Sequence, residues 1–200
     1  MSEIETRLGK TPAAGWPALR EGVLKRADRE ALIDLAFERH ETPFGTMLVV
    51  AGSQGIVRIA LATEDEREVL DRLAGQVSSR IAQTGRECLT AARQQLDSYF
   101  AGKLRKFELP LDWQLTRGFR RDVLHQTAAI PFGSTASYSE LAERAGSPRA
   151  VRAAGTALAS NPLPIVVPCH RVLRSDGMVG SYLGGSAMKA ELLRMERDAA

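Results

Sequence analysis

Apolar and polar positions first alternate at Ile33, Leu35 and Phe37, with Asp34, Ala36 and Glu38 between them. That period of two predicts a strand. His40 to Gly45 (HETPFG) supplies a turn. The apolar runs Met47–Val50 and Ile56–Leu61 flank Gly52-Ser53-Gln54-Gly55, which predicts a hairpin. The period then lengthens. Thr63 with Glu66 forms a capping-box pattern, and Val69, Leu70, Leu73, Val77 and Ile81 mark the inward side of the helix it opens. A second helix is expected from about Glu87 to Ala101, stopped by Gly102, with Cys88, Ala92, Leu96 and Tyr99 on one face. Phe107-Glu108-Leu109 reads as a last short strand before Pro110.

Beyond Pro110–Trp113 the pattern is helical. Thr116 is placed to cap a helix carrying Phe119, Val123 and Leu124 that ends before Pro131. Ser137 and Glu140 form another capping box, on a short helix closed by Gly146. Ser147 and Pro148 open the next helix, Pro148–Ser160. Two short helices joined by a glycine-containing turn outline a helix-turn-helix. In the second of them Val151, Ala154 and Leu158 form the inward stripe. The other side shows Arg149, Arg152, Ala153 and Thr156, with Gly155 beside them. A glycine inside a helix costs about 1 kcal/mol relative to alanine. The flat face it leaves suits either close helix packing or a bulky partner, and the flanking arginines favour a nucleic-acid groove.

Earlier in the chain, residues 1–17 show no period, and residues 18–30 predict a charged helix without an evident purpose. The expected division is therefore an N-terminal extension over 1–30, an α/β domain over 31–110 and a helical domain over 111–200.

Composition adjusts this picture. The 200 residues are 44% hydrophobic, enough for a substantial core. No apolar run reaches the roughly 18 residues of a membrane span. The start, MSEIETRLGK, is polar and lacks the apolar segment of a secretory signal. Two cysteines make a disulfide framework improbable, and a cytoplasmic location is expected, nuclear in a eukaryote. The formal charge is only +3, but from Arg144 to Ser175 there is no Asp or Glu, while Arg144, Arg149, Arg152, Arg171 and Arg174 fall in that window. A polyanion can approach such a surface without like-charge repulsion.

Candidate chemistry centres on Ile165–Val172, an apolar run that stops at Pro168 and delivers Cys169, His170 and Arg171 together. Cys88, on a helix face with Ala92 and Leu96, reads as a small core residue. Cys169 has a base next to it. A free thiol has a pKa of roughly 8.5, so a nucleophilic cysteine needs such a neighbour. Adjacent side chains of a strand face opposite ways, so a bend at Pro168 or an intervening water is required. Glu196, on a C-terminal helix from about Ser186 to Arg197, shares a face with Met188 and Leu192. A carboxylate on an apolar face should have a buried partner, which makes Glu196 the candidate to orient His170.

Pro168-Cys169-His170-Arg171-Val172 resembles the active-site motif of the O6-alkylguanine-DNA alkyltransferases, also called methylated-DNA–protein-cysteine methyltransferases. The likeness continues through Pro131-Phe132-Gly133, Ser137-Tyr138, Ala150 to Gly155, Asn161-Pro162, Pro164, Val179-Gly180, Tyr182, Gly184-Gly185, Lys189 and Leu192-Leu193 to Glu196. It is strong over about 115–197 and looser over about 31–110. The resemblance implies an α+β fold: an N-terminal ribonuclease-H-like α/β domain, then an α-helical domain with a winged helix-turn-helix. It implies one-step, irreversible transfer of a methyl or other alkyl group from O6 of guanine, secondarily O4 of thymine, to Cys169.

It also implies roles. His170 takes the thiol proton through water and Glu196 holds the imidazole. Asn161 ties the turn before the active site to the recognition helix. Tyr138 sits by the flipped nucleotide and supplies a proton to the leaving guanine. Arg152 fills the space the nucleotide vacates, with Arg149, Ala153 and Gly155 also at the DNA. Val172 offers a carbonyl to the guanine amino group, and Tyr182, Gly184, Pro164 and Leu158 line the pocket. The implied partner is double-stranded DNA containing O6-alkylguanine, met in the minor groove by a monomer, with no membrane. No cofactor is expected. No metal is expected either, because the N-terminal half lacks the Cys/His zinc ligands of some members. Leu183 stands where a relative has a small polar residue, which leaves the range of alkyl groups open.

Three rival readings predict different observations. A non-transferring sensor of alkylated DNA carries another residue at the Cys169 position. A sequence-specific regulator would not need a Cys–His–Glu set. A thiol hydrolase would turn over, and would not need an arginine helix free of acidic residues.

Overall fold

The structure is a computed structural model and describes residues 15–199. The irregular pattern of residues 1–14 lies outside the described residues. Helix α1 (Trp16–Arg29) matches the expected charged helix and buries none of its side chains. It is tied to the body at its end, where Arg86 Nη2 donates to Asp28 Oδ1 at 2.6 Å. Nη2 also holds the Ile33 carbonyl, and Nη1 holds those of Asp34, Ala51 and Gly52.

Strands β1 (Leu35–Thr42), β2 (Gly45–Ala51), β3 (Ile56–Ala60) and β4 (Ile81–Gln83) form one sheet in the order β3-β2-β1-β4. The first three are an antiparallel meander, and β4 joins β1 in parallel. The β1–β2 turn closes at Gly45, whose φ of +93° favours a residue without Cβ. Both faces of the sheet are covered, which is why Met47 to Ala51 is apolar without alternation. Leu35, Phe37, Leu48 and Val50 pack under helix α2 (Glu66–Gln76) through Val69 and Leu73. Ala36, Met47, Val49 and Ala51 face helix α3 (Glu87–Phe100) through Leu89, Ala92, Leu96 and Tyr99. Ala36 is thus as buried as Leu35, where simple alternation put it outside.

Four local expectations are corrected. Asp65, not Thr63, caps α2: its side chain accepts from the Glu68 N–H at 2.9 Å. That helix stops at Gln76, and Ile81 belongs to β4. Residues 107–109 form no strand; the extended chain beyond them makes a single bridge, Leu111 to Ile56. Thr116 does not cap helix α4 (Gly118–Ala128). Its hydroxyl donates to the Trp113 carbonyl at 2.8 Å, and the cap position is Arg117.

The helical half packs α4, α5 (Tyr138–Arg144) and α6 (Val151–Ala159) on one another. The Ser137–Glu140 capping box is present in both directions. Gly146, at φ +79°, ends the connection from α5. Ser147 to Ala150 is a turn, so α6 begins at Val151 and not at Pro148. Two short strands, β5 (Ala136–Ser137) and β6 (Val172–Leu173), pair in parallel. Helix α7 (Gly185–Asp198) closes the fold, and its Met188 and Leu192 join the core that α3 and the sheet begin.

Candidate active site

The apolar run before Pro168 is a tight turn, not a strand. Leu163 to Val167 closes with the Val167 N–H donating to the Leu163 carbonyl at 2.8 Å. Ile165 sits at φ +74°, an unusual conformation for a β-branched residue that costs roughly 1–3 kcal/mol. Asn161 holds this turn from inside. Its Nδ2 donates to the Val167 carbonyl at 2.8 Å and to Cys169 Sγ at 3.2 Å, while its Oδ1 accepts from the Leu163 N–H at 3.0 Å. Asn161 directly follows α6 and Ser160, so one side chain links α6, the turn and the thiol.

Cys169–Arg171 then forms one turn of 3₁₀-helix. That turn supplies the bend the sequence required. His170 and Glu196 are almost completely buried, and His170 Nε2 lies 2.8 Å from Glu196 Oε1. An ionised carboxylate only accepts, so Nε2 carries the proton and Nδ1 is left as an acceptor. Nδ1 is buried and has no protein partner among the described residues.

Glu196 is the hub. Tyr99 Oη donates to its Oε1 at 2.6 Å. Arg171 Nε donates to Oε2 at 2.8 Å and Arg171 Nη2 to Oε1 at 2.9 Å. The Gly133 N–H adds a bond to Oε2 at 3.2 Å. Burial pushes the carboxyl pKa up, but the bonds from His170, Arg171 and Tyr99 outweigh it and bring the pKa down to about 2. Burial lowers the pKa of His170, against the pull of Glu196, so the imidazole is neutral at pH 7. Burial raises the Cys169 thiol, which the Asn161 amide and the Lys189 charge only partly offset. The resting pair is therefore a thiol and a neutral imidazole. Tyr99 and Arg171 were not among the expected site residues. Arg171 lay inside the motif, and Tyr99 was a tyrosine on an apolar helix face, a pattern that calls for a partner for its hydroxyl.

Cys169 opens into a pocket of about 730 Å³. Of the residues expected at the pocket, Leu158 and Tyr182 line it; Tyr138, Arg152 and Gly155, expected at the DNA, line it too, and Thr156, Ala159, Arg174, Gly180, Ser181 and Leu183 complete the wall. Pairing of β5 with β6 sets Tyr138, the first residue of α5, beside the Cys169 turn. Burial raises the Tyr138 pKa, and a thiolate at Cys169 would press the same way, so its phenol keeps its proton. Arg152, Ala153 and Thr156 are exposed on α6, and Arg149 is exposed on the preceding turn. A Cβ on Gly155 would meet only the Tyr138 ring, at 3.9 Å. The fold itself therefore does not demand glycine there.

Other expected pocket residues lie behind the wall. Pro164 is buried in the turn, bridging to Val167. Gly184 packs against Met188, Leu61 and Tyr182. The Val172 carbonyl already accepts from the buried Lys189 Nζ at 2.5 Å, and the Cys169 carbonyl accepts the Val172 N–H.

Comparison with known proteins agrees with this arrangement. The family described as "6-O-methylguanine DNA methyltransferase, ribonuclease-like domain" matches residues 34–113, and "6-O-methylguanine DNA methyltransferase, DNA binding domain" matches residues 118–198. A constitutive methylated-DNA–protein-cysteine methyltransferase of Bacillus subtilis is 37% identical over 161 residues, 78% of this chain and 92% of that protein. One from Methanosarcina barkeri is 35% identical over 161 residues, 79% of this chain and 94% of its own length. The Mycobacterium tuberculosis OGT crystallised in complex with DNA is 32% identical with a TM-score of 0.69, covering 82% of this chain and 94% of the other. With both halves of the fold matched, and the thiol, imidazole and carboxylate gathered at one pocket, the chain belongs to the methylated-DNA–protein-cysteine methyltransferase family.

Proposed function

We propose that this protein repairs DNA directly, moving an alkyl group from O6 of guanine to Sγ of Cys169, once per molecule. The observation that carries the reading is His170 Nδ1: a buried acceptor with no protein partner among the described residues, on a ring whose other nitrogen is fixed by Glu196. In this reading a water passes the Cys169 proton to Nδ1. Sγ forms a bond to the alkyl carbon as the carbon–O6 bond breaks. The departing guanine takes a proton, and Tyr138 is the phenol placed to give it. The imidazolium at His170 is stabilised by Glu196, the carboxylate already ionised beside it. Such proton transfer contributes about 10²–10⁴-fold to rate.

O6 lies inside the base stack, so the nucleotide must leave it, at a cost of a few kcal/mol. The pocket over Cys169 is its receptacle. The exposed Ala153 and Thr156, with the half-buried Gly155 between them, let α6 lie close in the minor groove, where Arg152 occupies the vacated space. Arg149 adds a phosphate contact. DNA is read by shape and charge, with little sequence preference. The product is a thioether, which water does not cleave, so the protein acts stoichiometrically. The protein acts as a monomer inside the cell; among the described residues no helix is long and apolar enough to cross a membrane.

Intact-protein mass tests the reading. After mixing with duplex DNA containing O6-methylguanine, the wild type should gain one CH₂ on the peptide holding Cys169, and Cys169→Ser should gain none. Tight binding without a mass change would make the protein a sensor of the lesion.

A further inference from the structure

A second cleft, of about 490 Å³, shares Ala159 and Leu183 as a wall with the pocket over Cys169. Four arginines line it: Arg58 from β3, Arg72 from α2, and Arg117 and Arg120 from the start of α4. One acidic residue, Glu64, is present and already engaged. It is salt-bridged to Arg58 and accepts from the Leu61 N–H at 2.9 Å.

The other three arginines have no carboxylate partner among the described residues. Arg72 Nε reaches only the Glu68 carbonyl, at 3.1 Å. Arg120 Nη2 donates to the Ser160 carbonyl, and its buried Nε has no partner among the described residues. The Arg117 side chain makes no hydrogen bond or ion pair among the described residues, and it is exposed. Burial lowers the pKa of Arg58, and the charges of Arg72 and Arg120 press the same way against the pull of Glu64. Gathering like charges around a concavity is unfavourable until an anion enters it. A guanidinium fork suits phosphate oxygens in particular.

We propose that this interdomain cleft binds a phosphate group through Arg72, Arg117 and Arg120. The source favoured by position is a backbone phosphate of DNA flanking the lesion. The cleft adjoins the lesion pocket and lies at the C-terminal end of α6, where Arg120 meets Ser160. On that arrangement the ribonuclease-like half takes part in DNA binding through Arg72. Free inorganic phosphate is the other source of the same chemistry.

The test uses the full chain and the double substitution Arg72→Gln with Arg117→Gln. Both side chains are exposed, and Arg120 is left in place because it holds the Ser160 carbonyl. The first measurement is affinity for duplex DNA containing O6-methylguanine across a salt series. Loss of one phosphate contact should flatten the slope of log K against log[salt] by about 1. The second is the melting temperature in inorganic phosphate against chloride at matched ionic strength. A flatter slope in the variant identifies flanking DNA as the ligand. An unchanged slope, with a phosphate-specific rise in Tm that the variant loses, identifies free phosphate. No change in either measurement overturns the proposal. Methyl gain on wild-type Cys169, read by mass in the same samples, tests the repair reading separately.

Discussion

Arg171 grips both carboxylate oxygens of Glu196, at 2.8 Å through Nε and 2.9 Å through Nη2, so the group that orients His170 is itself immobilised. Arg171 Nη1 also donates to the Ile130 carbonyl at 2.6 Å. The His170 imidazole is thus fixed to the chain just before Pro131 as well as to α7. Replacing Glu196 by Gln should strip Arg171 of its counter-charge and His170 of the anion that stabilises its protonated form. Breaking a buried pair costs about 3–5 kcal/mol. Loss of the proton relay should slow alkyl transfer by roughly 10²–10⁴-fold. Urea unfolding and single-turnover transfer measure the two effects. A Glu196→Gln protein that transfers at the wild-type rate would remove Glu196 from the mechanism.

Tyr99 should behave differently. Its hydroxyl donates to Glu196, but Arg171 and His170 remain in place without it. Tyr99→Phe should cost about 1.5–3 kcal/mol, the worth of a hydrogen bond to a charged group. Transfer should slow far less than in Glu196→Gln. Comparable losses of rate in the two variants would show that Tyr99 takes part in the proton path itself.

Acid should destabilise the protein in two steps. His170 has a folded pKa below its ordinary 6.5, so the unfolded chain binds that proton first. Stability therefore falls as the pH drops below about 6.5, until the folded His170 also titrates. Glu196 has a folded pKa of about 2 against an ordinary 4.5. Its contribution is complete above 4.5 and is lost as the pH falls toward 2. Transfer should persist through most of this step and fade only at its lower end, where the folded His170 itself takes up a proton and no longer accepts that of the thiol. Denaturant midpoints from pH 8 to pH 3, for wild type and His170→Gln, check this; the variant should lack the upper step. An upper step of equal size in both proteins would assign it to another group.

What could be read in advance was what is local. The Ser137–Glu140 box closes within one helical turn, and its residue types name it. Cys169, His170 and Glu196 were found because a thiol beside a base, and a carboxylate on an apolar face, each raise a chemical question. Tyr99 escaped because it meets Glu196 from far away in the chain, through packing that no period reveals. Strand β4 escaped because three residues cannot display a period, and β1 rather than its own pattern makes it a strand. The run Ile165–Val167 misled for the opposite reason. β-Branched residues prefer extended backbone, yet Asn161 and the buried surroundings hold Ile165 at a positive φ. The arginines of the interdomain cleft come from three elements, so no single stretch shows their convergence.

Alkylation should weaken the fold that carries it out. Cys169 is 5% exposed, and its Sγ accepts from Asn161 Nδ2 at 3.2 Å. A methyl group on Sγ adds bulk beside that amide, so the Asn161 bond lengthens or the side chain turns, and such crowding typically costs about 1–3 kcal/mol. Asn161 would transmit the shift to the turn at Ile165 and to the end of α6. For a chain of this size, 1 kcal/mol lowers Tm by roughly 2–4 °C. Melting curves before and after stoichiometric methylation should differ in that direction. Identical curves would mean that the pocket accommodates the methyl group without strain.

Gly180 offers a test of Tyr138 that leaves Tyr138 itself in place. A Cβ at Gly180 would lie 2.7 Å from Tyr138 Oη and 3.4 Å from its ring. The phenol would have to move by several tenths of an ångström. Gly180 is outside every helix and strand, so the expected loss of global stability is small, within about 0.5 kcal/mol. Displacement of a positioned proton donor is costlier to the reaction, where a 1 Å error can cost about 10²-fold. Gly180→Ala should therefore slow transfer by roughly 10-fold while leaving the urea midpoint nearly unchanged. Tyr138→Phe should slow it at least as much, and adding Gly180→Ala to Tyr138→Phe should slow it little further, because the displaced hydroxyl is already gone. Independent, multiplying effects of the two substitutions would show that Gly180 acts on the pocket by some route other than Tyr138.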